Sequence, residues 1–287
     1  MSPKSLAILI LTAFVISFLP ALGQHNVGQG GHTVVPGTVE LSFSPGLVGL
    51  NQTVMSLDQV IYKFTSEATY WGDVEIKGEV AFNPILRLGY NLMPWLCLES
   101  SGGLFFSDFS TDITNRKRRP NEADAPVDLN EPELGQFDAE KGSFNGGNLS
   151  INAIIYFLNV SDSRGLFHQL AGGRNHPYIS VGAGRVWYRM DSNYTDGKAR
   201  SNDFNFGGGT RFFFTQNISL RLESLLHLNT VQFTPVDNFL LLDEGTIAIP
   251  LRQYYQIEGQ YFEQPVESIP SQSLKSFVFS IGIQGSF

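Results

Sequence analysis

Along most of this chain apolar and polar residues alternate with a period of two, in blocks of about the ten residues that a tilted strand needs to cross a bilayer. The clearest block is the last, SFVFSIGIQGSF. There Phe277, Phe279, Ile281, Ile283 and Phe287 share one side, and Val278, Ser280, Gly282, Gln284 and Ser286 the other. Successive side chains of a strand point to opposite faces, so each block is a predicted strand with one oily face. In order the strands span residues 39–49, 80–91, 95–106, 149–158, 178–190, 204–214, 219–228 and 274–287. Chain ends are usually frayed and polar; this one closes on its most regular alternation.

The connections alternate as well. Residues 92–94 and 215–218 read as tight turns, whereas 50–79, 107–148, 191–203 and 229–273 are long, polar insertions. Every second connection is long, so the long ones project from one end of an up-and-down sheet. The connection 159–177 is too long for a tight turn, and RGLFHQLAGG within it is expected to form a short helix.

Which face is oily decides between a soluble sandwich and a closed barrel. Phe204, Phe206, Phe212 and Phe214 oppose Asn205, Gly207, Gly209 and Arg211. Leu220, Leu222, Leu226 and Leu228 oppose Arg221, Glu223 and His227; Leu86, Leu88, Tyr90 and Leu92 oppose Arg87, Gly89 and Asn91. Too few segments remain to cover such faces with helices or a second sheet. A sheet closed on itself places the small and charged set in a narrow lumen and the oily set against lipid, and it satisfies every backbone group. The expected fold is therefore all-β: a closed antiparallel up-and-down transmembrane barrel of eight strands. Ten is the alternative, although NFLLLD (238–243) is too short to add a crossing. The inward charges expected are Glu40, Arg87, Glu99, Arg185, Arg211, Arg221 and Glu223, which must pair because an unpaired buried charge is costly. Tyr90, Trp95, Tyr156, Phe157, Tyr178, Phe212 and Phe287 fall at the turn end and are expected to form an interfacial ring.

Composition narrows the picture further. A hydrophobic share of 42% over 287 residues excludes wholesale disorder. A net charge of −8 gives nucleic acid no electrostatic footprint, and Arg116 to Arg119 sit among acids as a solvated loop. The lone Cys97 allows neither an internal disulfide nor a zinc cluster, and no metal or cofactor is expected. The opening MSPKSLAILILTAFVISFLPALGQ has a basic start, an apolar middle and a small-residue cleavage site, so residues 1–23 read as a signal peptide, 24–38 as a flexible lead-in and 39–287 as the barrel domain. Ser224 and His227 are three apart and face opposite sides, so they assemble no triad; the chain is not expected to be an enzyme.

The stretches LRLGYNLMPWLCLESSGG, HPYISVGAGRVWY, FNFGGGTRFFFTQNISLRLES and the terminal FVFSIGIQGSF resemble the OmpA-type family of eight-stranded bacterial outer-membrane barrels. The resemblance covers most of the strands but not the long loops. It implies an outer-membrane location and outer-membrane lipid as surroundings. It also implies an assembly signal, read by the outer-membrane assembly machinery, at Phe277, Phe279, Ile281, Ile283 and Phe287. The peptidoglycan-binding domain of many relatives is not expected to follow the barrel. The expected role is structural, in envelope integrity, with a polar plug in the lumen. Two alternatives stand beside it. One is adhesion or partner binding through the loops, where RQYYQIEGQYF suits recognition and can extend as a hairpin above the membrane; the other is a narrow porin-like channel.

Overall fold

The computed structural model describes residues 34–63, 69–118, 141–157, 175–237, 240–242 and 247–287. Among them every regular element is a β-strand. In chain order these are β1 (Val39–Gly49), β2 (Thr53–Lys63), β3 (Thr69–Gly78), β4 (Ala81–Met93), β5 (Leu96–Arg118), β6 (Lys141–Tyr156) and β7 (Asn175–Met190). They continue as β8 (Lys198–Phe213), β9 (Ile218–Val231), β10 (Leu240–Leu242), β11 (Ile247–Ile249), β12 (Arg252–Ile257), β13 (Gln260–Pro265) and β14 (Gln272–Ser286). The signal peptide, the lead-in up to residue 33, the short helix expected within 159–177 and the middle of the 107–148 insertion lie outside the described residues.

Eight of the strands close on themselves in the order β1, β4, β5, β6, β7, β8, β9, β14 and back to β1, all antiparallel. The seam between first and last strands runs from Glu40 opposite Ser286 to Gly49 opposite Phe277. It is finished by two backbone hydrogen bonds, Val39 N–H to Phe287 O (3.2 Å) and Phe287 N–H to Val39 O (2.9 Å). Closure leaves the barrel without a free edge, which explains why the terminal strand is as regular as the interior ones.

The barrel strands outrun the predicted ones mainly at the end away from the termini. β5 continues to Arg118, well past the expected stop at Phe106. Its polarity inverts there. Lower down, Glu99 and Ser101 point inward while Leu98 and Leu104 lie exposed outside; above, Phe105, Phe109 and Ile113 are buried inward while Asp108 and Asp112 are exposed. The upper part of β5 pairs with β3, β3 with β2, β2 with β12 at Arg252 and Gln253, and β12 with β13. Insertion 50–79, expected as a polar loop, is thus a hairpin extending the sheet beyond the barrel. The β12–β13 hairpin turns at Glu258 (φ 50°) and Gly259 (φ 82°), the left-handed pair that a two-residue hairpin of matching twist requires. A separate ribbon pairs β10 with β11.

Two apolar cores result, one at each end of the lumen. The smaller, at the turn end, joins Val34, Cys97, Ile154, Tyr156, Tyr178 and Phe213. The larger fills the loop end and joins upper barrel positions such as Phe105, Phe109 and Phe144 to Val54, Met55, Val74 and Ile76 of the β2–β3 hairpin. Between them the inward positions are polar.

Candidate functional site

The polar layer is built from alternate residues of neighbouring strands, so each strand contributes its inward set at one level. Arg211 on β8 donates from Nη1 to Glu40 Oε1 (2.5 Å), from Nε to Ser219 Oγ (2.9 Å) and from Nη2 to Ser286 Oγ (2.8 Å). Its guanidinium lies 4.5 Å from the centre of the Phe213 ring. Glu40 also accepts from Asn91 Nδ2 (2.7 Å) and from the amide of Gln284. This first centre sits against the seam, tying β1, β4, β8 and β14 together.

The second centre holds two carboxylates between two guanidinium groups. Arg221 donates to both oxygens of Glu99 and to Glu223 Oε1 (2.5 Å), and its Nε donates to Tyr178 Oη (2.8 Å). Tyr178 in turn donates to Glu223 Oε1 (3.1 Å). Arg87 pairs with Glu223, approaches Glu99 Oε1 at 3.6 Å and donates to Ser44 Oγ (2.7 Å). All six charged side chains are buried, with at most 3% exposure. Three carboxylates meet three guanidiniums, so the layer is electrically balanced. Such a layer is held by complete pairing rather than by net attraction, since desolvation offsets most of the Coulomb gain.

Above the second centre lies a cavity of about 50 Å³, walled by Arg87, Ser101, Ser150, Asn83, His227, Asp203, Asn229, Ser276 and apolar residues including Val48, Ile85, Leu225 and Val278. A water needs roughly 10–15 Å³ by this measure, so the space suits a few waters and excludes a drug-sized molecule. On its wall His227 Nδ1 lies 2.7 Å from Asp203 Oδ2, and Asn229 bridges Asp203 (3.2 Å) and Tyr188 Oη (2.7 Å). Ser276 is the cross-strand neighbour of His227, yet its Oγ makes no hydrogen bond, so the Asp–His pair has no nucleophile joined to it. Ser224 lies on the opposite face. Among the described residues no group of three or more His, Cys, Asp or Glu side chains is placed to hold a metal ion.

The structure brings together Glu40, Arg87, Glu99, Arg211, Arg221 and Glu223. It does not bring Arg185 with them. On β7 the inward positions are the even ones, Tyr178 to Met190, so Arg185 is exposed on the outer face. Two members of the expected aromatic ring also move. Tyr156 and Tyr178 point inward, their rings 5.7 Å apart at the turn end of the lumen, while Tyr90, Trp95, Phe157 and Phe287 stay exposed outside. His176, read as part of a connection, begins β7 and packs edge-on against Phe213. Sequence reasoning missed Tyr178, Gln284 and Asp203 as partners. Asp203 could have been found, because it shares a face with Asn205 and Arg211 on one strand. The C-terminal residues Phe277, Phe279, Ile281 and Ile283 form an exposed outward row on β14 that ends at Phe287 beyond the strand.

Neither a family model nor a curated protein matches the sequence. Solved structures do match in shape. The outer membrane protein OprG from Pseudomonas aeruginosa aligns with a TM-score of 0.50 at 9% identity, over 90% of this chain and 98% of its own. Neisserial surface protein A aligns at 0.40 and 11% identity, over 88% and 99%. Outer membrane protein AlkL, determined in DMPC bilayers, aligns at 0.37 and 13%, over 92% and 95%. At such identities the OprG likeness is one of fold.

Proposed function

We propose that this chain is a bacterial outer-membrane barrel of the OmpA type whose lumen is sealed, and that its role is structural support of the envelope. The observation that carries the reading is a lumen filled by side chains inside an oily exterior. An apolar core fills each end, and between them lies a layer of three paired carboxylates and three guanidiniums.

The exterior supports the membrane placement by its height. Outward positions run from Phe277 to Phe287 along β14 and just past it, from Phe204 to Phe214 along β8 and just past it, and on β1 from Val39 to Gly49, eleven residues and ten steps in each case. At about 3.4 Å per residue and a tilt near 40°, that is roughly 26 Å measured along the barrel axis. The apolar band of an outer-membrane barrel is about 25 Å tall. On this reading residues 1–23 direct export and are removed, the Phe277 to Phe287 row addresses the assembly machinery, and the extension built on β2, β3, β12 and β13 stands outside the cell.

Planar-bilayer recording of the refolded protein tests the sealed lumen. A bilayer that stays silent is expected; regular single-channel steps would replace the plug by a pore. A second reading, recognition through the loops, is favoured by one observation: the Tyr255 and Phe262 rings meet at 5.6 Å, tilted by 30°, on the β12–β13 hairpin, with both side chains and Ile257 exposed. Loss of cell-surface binding in a Tyr255→Ser/Phe262→Ser variant with intact envelope resistance would favour that reading.

A further inference from the structure

The outer face carries one charged side chain within its oily band, and it is not isolated. Outward positions on β7 read Ile179, Val181, Ala183, Arg185, Trp187 and Arg189. Across the ladder on β8, Phe206 faces Val181, Phe204 faces Ala183, Asn202 faces Arg185, Arg200 faces Trp187 and Lys198 faces Arg189. Four cations therefore gather on one face of two paired strands, directly above exposed apolar residues. Arg185, Arg189, Lys198 and Arg200 are all exposed. Among the described residues none of them makes an ion pair or a side-chain hydrogen bond.

The centre of the cluster is fixed. Trp187 lies over Gly147 of β6 so closely that a Cβ there would stand 2.6 Å from the indole Cζ2. The glycine thus gives the ring its seat at the upper edge of the oily band, where interfacial tryptophans sit. Among the described residues the acids adjoining these strands make no ion pair with the group. Asp203 points inward to His227; Asp191 and Asp196 lie beyond the strand ends, and Asp196 accepts from the backbone N–H of Lys198 (3.1 Å). On β5 the sign is reversed, where the first charged outward positions past the band are Asp108 and Asp112, whereas β14 carries the single cation Lys275 there. In a chain of net charge −8 this is a local concentration of positive charge.

We infer that Arg185, Arg189, Lys198 and Arg200 form a docking site for the phosphate of an anionic lipid in the leaflet on the loop side. The acyl chains of that lipid would lie along Leu149, Ile151, Val181 and Phe204. The inference rests on the membrane placement proposed above. It explains an arginine in the band: Arg185 stands one outward step below Trp187, and its long side chain reaches up to the headgroup level. Guanidiniums match phosphate oxygens in a forked geometry, and among the described residues no partner claims them.

The test uses refolded protein in phosphatidylcholine vesicles holding a trace of spin-labelled lipid. The fraction of label immobilised at the protein is compared for phosphatidic acid and phosphatidylcholine. Wild type is expected to prefer phosphatidic acid, by about fivefold for each cation in contact. Arg185→Gln/Arg189→Gln/Lys198→Gln/Arg200→Gln is expected to lose that preference, and Asp108→Asn/Asp112→Asn to keep it. Equal immobilisation of the two lipids by wild type, or an unchanged preference in the Gln variant, would overturn the inference. So would loss of the preference on adding inorganic phosphate in place of salt of the same ionic strength, since the site would then hold a free anion. Heat-modifiable gel migration reports insertion separately. Protein that never inserts into any vesicle overturns the membrane placement itself, and this inference with it.

Discussion

Arg211→Ala is the most informative single change in the lumen. It removes the only guanidinium on Glu40 among the described residues and leaves that carboxylate buried with Asn91 and Gln284 as its amide donors. Breaking a buried pair from one side costs about 3–5 kcal/mol. The two remaining amide bonds put the expectation at the lower end, near 3 kcal/mol, with the lost contacts to Ser219, Ser286 and the Phe213 ring included. Glu40→Gln/Arg211→Met removes both charges and keeps most of the volume, so the double variant is expected to lose only about 1 kcal/mol. The assay is reversible urea unfolding of lipid-inserted protein followed by tryptophan fluorescence, run as a double-mutant cycle with Glu40→Gln and Arg211→Met. A coupling near zero, or a loss below about 1 kcal/mol for Arg211→Ala, would show that the carboxylate finds enough water to stay solvated. The ionic layer would then not be sealed. The same variant in a planar bilayer should remain closed, because the larger apolar core at the loop end includes no contact of Arg211.

Three other outcomes follow from the geometry. Gly209 faces Tyr178 across the ladder, and a Cβ there would lie 2.6 Å from the phenol oxygen, so Gly209→Val should push the ring off Arg221 and cost about 1–3 kcal/mol in the same unfolding assay; an unchanged midpoint would refute the crowding. Cys97 is 1% exposed within the turn-end core. It should resist a soluble maleimide until urea unfolds the barrel, and rapid labelling of folded protein would mean that this end is open. Shortening the chain across the β12–β13 hairpin should change the unfolding free energy by no more than about 0.5 kcal/mol, because its register on β2 spans only Arg252 and Gln253; a large loss would show that the extension supports the barrel.

The barrel was legible because strands with an exposed oily face and a polar inner one alternate strongly. Leu220, Leu222, Leu226 and Leu228 against Arg221, Glu223 and His227 leave one reading of β9, and the inward charges follow from it. Above the band the contrast reverses sign. Along β5 the adjacent pair Phe105 and Phe106 marks the switch: Phe106 is the last apolar residue pointing out, and Phe105 opens an inward series with Phe109 and Ile113. A pattern sought with one polarity stops at Phe106, and the β2–β3 hairpin, wholly above the switch, looks like a polar loop. Arg185 was misplaced for a related reason. The inward set of β7 is Tyr178, Ser180, Gly182, Gly184, Val186 and Tyr188, neither charged nor plainly polar, while its outward set ends among cations. Polarity alone then assigns the faces backwards. The tyrosines at the turn end were ambiguous because a phenol suits an interface and a buried hydrogen bond equally well.

The equal count of positive and negative groups in the ionic layer has an electrical consequence. A charge carried across a membrane exchanges about 2.3 kcal/mol with each 100 mV of potential. Arg87, Arg211 and Arg221 are each tethered at nearly the same height as Glu40, Glu99 and Glu223, so the forces on them cancel. On the proposed membrane placement, a voltage applied across this barrel would find no net handle on its ionic layer under either sign of field.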